Sequence, residues 1–218
     1  MTATAITEAI DRTGKTITTF VVYDAERELA GMAEGEVLEL ITDDFKPIEL
    51  DVAAWTDSTG HELLASEVVP AGRRFLIKKG SERPTKSSLA VVISDAGLEE
   101  LLSPLGFALA GALEGMDVSL FVQGPAVRVL TRGYRPKLRG WARPFSRLAA
   151  AGMAKTGHIA AQQKLAQLLT LGATIYVCGP SMQHFKVDKD EFAFSGLLVV
   201  EYLTFMAVMR EADVQLYT

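Results

Sequence analysis

Three short apolar runs in the second half of the chain, SLAVVI, DVSLFV and ATIYVC, each end on a turn signal and are separated by stretches with helical spacing. Runs rich in Val, Ile and Leu without alternation fit strands buried on both faces of a parallel sheet. Parallel neighbours need crossover connections. A segment of about 98–115 and the amphipathic IAAQQKLAQLLTLG, ended by Gly172, supply helices for them. A last helix is expected around 195–209, with ADVQLYT after it as an edge strand. Residues 88–218 are therefore read as a parallel-sheet α/β unit with helices on both sides. Such sheets place their sites where the strands end at the carboxyl edge.

Residues 1–80 follow another order. Thr16–Val22 reads as a strand, YDAERELAGM as a helix, GEVLELITDD as a strand stopped at Asp43, Asp44 and Pro47, and ELDVAAWTDSTG as a second helix closed by Gly60. HELLASEVV and RRFLIKKG form a hairpin turned at Pro70 to Gly72. The order βαβαββ predicts a small α+β two-layer sandwich, with two helices on one face of a mixed sheet. Between the halves, 81–87 lies in the polar stretch GSERPTKSS and reads as a linker.

At 218 residues the chain can bury a real core. One cysteine rules out an internal disulfide framework and fits a reducing cytoplasm. MTATAITEAIDRTGK has no apolar core of signal-peptide type. The apolar stretch SGLLVVEYLTFMAVM is short and carries Glu201, so no membrane span is expected. Three scattered histidines and one cysteine give no metal-ligand spacing. LSPLGFALAG has glycines without the spacing or Lys of a phosphate loop, and no cofactor is expected.

The net charge of -5 is unevenly spread. Residues 1–117 hold 21 acidic and 10 basic residues, whereas 118–187 hold 10 basic residues and no Asp or Glu. A local positive field follows. Within it, Arg128, Arg132, Arg135, Lys137, Arg139, Arg143 and Arg147 alternate with Tyr134, Trp141 and Phe145, a mixture suited to anionic or stacked ligands. No nucleic-acid motif accompanies the segment. A loop covering the candidate thiol and recruiting an acidic partner is the favoured reading, and a solvated lid or subunit contact is the plain one.

The candidate thiol is Cys178, at the carboxyl end of ATIYVC, where Gly179 and Pro180 break the strand and SMQHF can start a helix. Free backbone N–H groups and the positive end of a helix dipole favour a thiolate there. Free cysteine is equally a common core residue that only packs. Composition leaves both readings open. His184 is placed to exchange a proton with the sulfur if the helix turns it back, or to stand idle on the surface. Ser181 can satisfy a first-turn N–H, and Met182 reads as packing.

On these residues the second unit resembles the DsrE/DsrF-like family. SLAVVISDAG, DVSLFVQGP, a long insert and IYVCGPSM follow that family's pattern, in which a cysteine after a late strand carries persulfide sulfur. The resemblance implies that Cys178 accepts sulfur and that the protein is a homo-oligomer such as a trimer; Gly179, Ser181 and His184 are the candidate supporting residues by their positions just after it. The first unit is similar to the TusA (SirA-like) family of sulfur carriers through GEVLELITDD, STGHELL and RRFLIKKG. That family's Gly-x-x-Cys-Pro-x-Pro motif is missing: after Gly14 its cysteine position falls on Ile17 or Thr18, and neither proline is present. The carrier chemistry is lost there, which leaves docking or regulation.

The resulting expectation is a cytoplasmic sulfur-transfer protein, a persulfide relay through Cys178. Its partners are sulfur-donor and sulfur-acceptor proteins or small persulfides, not nucleic acid. The rival expectations are a non-catalytic assembly or adaptor protein, and a protein that binds a small anion such as phosphate or coenzyme A through the arginine segment.

Overall fold

A computed structural model of the chain describes residues 5–15, 17–81, 87–155 and 158–218. The expected linker at 81–87 falls largely on residues outside these. Two compact units are present. Among the described residues, no helix is long and apolar enough to cross a membrane.

The first unit is built from β1 (Glu8–Asp11), α1 (Thr18–Ala30), β2 (Val37–Thr42), α2 (Lys46–Thr59), β3 (Glu62–Val69) and β4 (Gly72–Lys78). Its sheet order is β1-β2-β4-β3, with β1 parallel to β2 and the other pairs antiparallel. Pairing Leu38 with Ile77 and Leu40 with Phe75 puts these four side chains on one face, and all are fully buried. The opposite face carries the half-exposed Glu39, Ile41, Arg74 and Leu76. Phe20, Val21, Ala25 and Leu29 of α1 and Ile48, Val52 and Trp55 of α2 fill the same core. Each buried Val, Leu, Ile or Phe among them contributes about 1.5–3 kcal/mol by leaving water. α2 begins with Pro47 in its first turn and ends at Gly60 with φ 83, a left-handed cap that glycine adopts without strain.

The order βαβαββ stands, but one element moves. Residues 18–22, read as part of a strand, are the first turns of α1. The β-branched run ITTFVV has strand propensity, yet that propensity mostly reports fit to a half-buried pleat. Here the sheet position beside β2 is occupied by Glu8–Asp11, and Phe20, Val21, Ala25 and Leu29 recur at helical spacing instead.

The second unit has a five-stranded, all-parallel sheet in the order β8-β7-β6-β5-β9. Its strands are β5 (Ser88–Ile93), β6 (Asp117–Val122), β7 (Thr174–Cys178), β8 (Leu198–Val200) and β9 (Val214–Tyr217). Between them run α3 (Leu102–Leu113), α4 (Ser146–Lys155), α5 (Ala161–Thr170), α6 (Gly179–Phe185) and α7 (Tyr202–Glu211), with 3-10 segments at 124–130 and 140–145. One face stacks Val91, Leu120 and Ile175 in register, all fully buried. α3 lies on this face. Gly111 sits so close that a Cβ there would come within 2.7 Å of Leu89. The other face aligns Val92, Phe121 and Tyr176, and α7 covers it through Phe205.

Two readings of the second unit change. The helix expected over 195–209 is instead β8 followed by α7, because LVV adds to the edge of β7 and Glu201 is extended between them. The basic segment is not a single loop: it holds both 3-10 segments and α4, and Ala126, Val127, Val129 and Leu130 are buried.

Candidate functional site

Cys178 ends β7 and is the N-cap of α6, which it enters with extended backbone, φ -69 and ψ 110. The alternation of β7 sends Ile175 and Val177 to the α3 face and Tyr176 and Cys178 to the α7 face. Pairing with Val200 on β8 completes the backbone position. The strand end and the helix start were both legible in the sequence; what they expose was not. Cys178 is 0% exposed and packs with Ala90, Val92, Phe121 and Phe205. Its side chain makes no capping hydrogen bond to α6.

The cover is aromatic and thin. Phe205 stacks on Phe121 with ring centroids 4.7 Å apart, and Tyr176 meets Phe205 edge-on at 5.4 Å. Tyr202, at the first position of α7, packs edge-on against Phe121 at 5.9 Å, yet remains half-exposed. Its hydroxyl lies near the Cys178 thiol and the Ser181 hydroxyl. The neighbouring Cys178 sulfur is the largest influence on this phenol and raises its pKa above the ordinary tyrosine value. One side chain therefore reaches from solvent to sulfur. Tyr202 was missed in the sequence because strand β8 and the start of α7 were merged into one helix.

The supporting residues separate. Ser181 is buried, and its Oγ accepts from the Gly124 backbone N–H at 2.8 Å, tying α6 to the end of β6 instead of satisfying α6's own first turn. Gly179 is not forced sterically: a Cβ there meets Val199 and Val200 only at ordinary contact distances. His184 is exposed near the far end of α6, with its ring edge-on against Phe185 at 4.8 Å. A seven-residue helix is about 10 Å long, so the structure does not bring this imidazole to the sulfur.

Nor does the basic segment cover the thiol; α7 does. Arg128, Arg135, Lys137, Arg139 and Arg143 instead line a separate cleft with Lys186. Arg132 donates to the Asp190 carbonyl at 2.7 Å, and Arg147 lies on the exposed side of α4, outside that lining. In the first unit, Ile17 is the N-cap and Thr18 the first residue of α1, so both candidates for the lost cysteine stand at a helix start with no sulfur.

Comparison with known proteins bears on both units. A family described as sulfurtransferase TusA matches residues 21–79, beginning just past Ile17 and Thr18. Among curated proteins no relative matches. Among solved structures, the ychN protein from E. coli is similar, with 18% identity, a TM-score of 0.46, and coverage of 61% of this chain and 99% of that one. The DsrE/DsrF-like family matches residues 87–216, well over half the chain. The chain belongs to the DsrE/DsrF-like family, with a TusA domain fused ahead of it.

Proposed function

We propose that this protein transfers sulfur, with Cys178 as acceptor and donor. The Cys178 thiolate attacks the outer sulfur of a donor persulfide, forming Cys178–S–SH and releasing the donor as a thiolate that takes up a proton. An acceptor thiolate then attacks the terminal sulfur, and the Cys178 thiolate leaves. No net oxidant or reductant is needed. The single observation that supports this reading most is the cover over the sulfur: Tyr202, a half-exposed phenol beside an otherwise sealed thiol, sits at the very start of the short helix that closes it.

The seal is built to yield. α7 is ten residues long and contributes one fully buried side chain, Phe205. A helix of that length is marginal by itself, and segments with few buried contacts open at low cost. Displacing the first turn of α7 lifts Tyr202 and Phe205 off the sulfur and exposes it at the start of α6, where the Ser181 hydroxyl remains to face the persulfide anion. With no second cysteine in the chain, no internal thiol discharges it as a disulfide.

The rest of the assignment goes with this. The protein works in the cytoplasm, receives sulfur from a protein or small persulfide, and uses its TusA unit for docking or regulation. Self-association is supported by apolar side chains left exposed on α7 and on both edge strands: Leu198, Tyr202, Leu203, Met206 and Tyr217. The test is intact mass after incubation with a persulfide donor. One added sulfur is expected on the native chain and none on Cys178→Ser. If sulfur is absent from the first, or present on the second, the proposal is wrong.

A further inference from the structure

The basic segment folds around a cleft of about 740 Å³, within the range of small-molecule sites. Six cationic side chains line it: Arg128, Arg135, Lys137, Arg139, Arg143 and Lys186. Its carboxylates are Asp95 and Glu191. Asp95 is already engaged by Arg139, which also holds Glu100 through its Nε at 2.7 Å. Among the described residues, no carboxylate pairs with the other five cations. Gathering five like charges in a concave space is unfavourable unless an anion joins them.

Two local features point the same way. Arg128 sits over the Phe185 ring, 4.9 Å from its centroid, which fixes the guanidinium at the wall of the cleft. Lys186 caps α6 with φ 52 and is the one non-glycine residue with positive φ among the described residues. Glycine is the ordinary choice at such a cap, and a side chain held there is strained. Strain of this kind collects at functional positions. Here it places an ammonium group in the cleft lining. The cleft also sits beyond the carboxyl end of β5, where Asp95 follows Ile93, the usual side for ligands of an open parallel sheet.

We infer that this cleft binds a small phosphate-bearing polyanion of the diphosphate class found in nucleotides and coenzymes. Arginine forks and lysine point charges are the groups that recognise such phosphates. The concavity favours a small molecule over a flat acidic protein surface. The site is separate from Cys178 and does not depend on the sulfur chemistry.

The experiment titrates the full chain with pyrophosphate and with ADP by calorimetry, with citrate as a charge control and a poly-glutamate peptide as a macromolecular one. Saturable binding of one pyrophosphate per chain is expected, tighter than citrate. Arg143→Gln and Lys186→Gly should each weaken it about tenfold, the order of one charge-assisted hydrogen bond. Lys186→Gly should do so with an unchanged or raised Tm, since glycine relieves the strained cap. Arg147→Gln and Cys178→Ser should leave binding as it was. Absence of saturable pyrophosphate binding overturns the inference, as does equal affinity for citrate or insensitivity to both cleft variants. Binding of the peptide alone would make the surface a protein dock and overturn it equally.

Discussion

Phe205→Leu should speed chemical labelling of Cys178 while leaving the chain folded. Phe205 is 2% exposed and its ring meets Phe121 at 4.7 Å and Tyr176 at 5.4 Å. Leucine keeps most of the apolar volume but removes both ring pairs. Each pair contributes about 0.5–1.5 kcal/mol beyond its buried area, so the seal loses roughly 1–3 kcal/mol by that principle. At 1.4 kcal/mol per factor of ten, the open state becomes roughly five to a hundred times more populated. Labelling by an aromatic disulfide in excess, followed by absorbance, reads that population when reclosing outpaces reaction. The wild-type chain should react far more slowly than the urea-unfolded chain, Phe205→Leu should react faster by the stated factor, and low urea should change both rates only weakly. Three results would refute the reasoning. A wild-type rate equal to that of the unfolded chain means the thiol is open already. An unchanged rate in Phe205→Leu means that α7 does not control access. A urea dependence as steep as that of global unfolding means that the sulfur is reached only when the whole unit melts.

Leu203, 87% exposed on α7, touches little within its own chain. Leu203→Glu should therefore leave Tm nearly unchanged and shift the protein from oligomer to monomer in light scattering; an unchanged mass would remove α7 from the interface. In the first unit, burial pushes the Asp24 pKa up, but hydrogen bonds from Lys15 at 2.7 Å and Arg12 at 2.6 Å outweigh it and hold the carboxyl below its ordinary value of 3.8. A carboxylate held low stabilises the fold above its unfolded pKa, and that contribution is lost as pH falls through the lowered folded value. Asp24→Asn should accordingly cost about 1 kcal/mol near neutral pH, with wild-type and variant urea midpoints converging in strong acid. A constant gap at every pH would show that the carboxylate charge is irrelevant.

The sequence by itself determined the elements whose patterns are local. SLAVVI, DVSLFV and TIYVC are strands because Val, Ile and Leu on both faces suit nothing else of that length, and Gly172, Gly179 and Pro180 mark their limits. Cys178 was placed correctly at a strand end and a helix start on the same grounds. The clustering of cations was also visible, as seventy residues without a carboxylate. Tertiary structure alone decided which faces those elements met. Thr18–Val22 became helix because Glu8–Asp11 had filled the strand position, a choice made across the sheet and invisible to propensity. LVV became β8 because an edge of β7 was free to pair with it. That pairing delivered Tyr202 and Phe205 onto the sulfur, and it turned a thiol expected to stand open beneath arginines into one closed by a short aromatic helix. Strand alternation says that a side chain points to one face, but what lies over that face comes from residues remote in the chain, here more than twenty positions away.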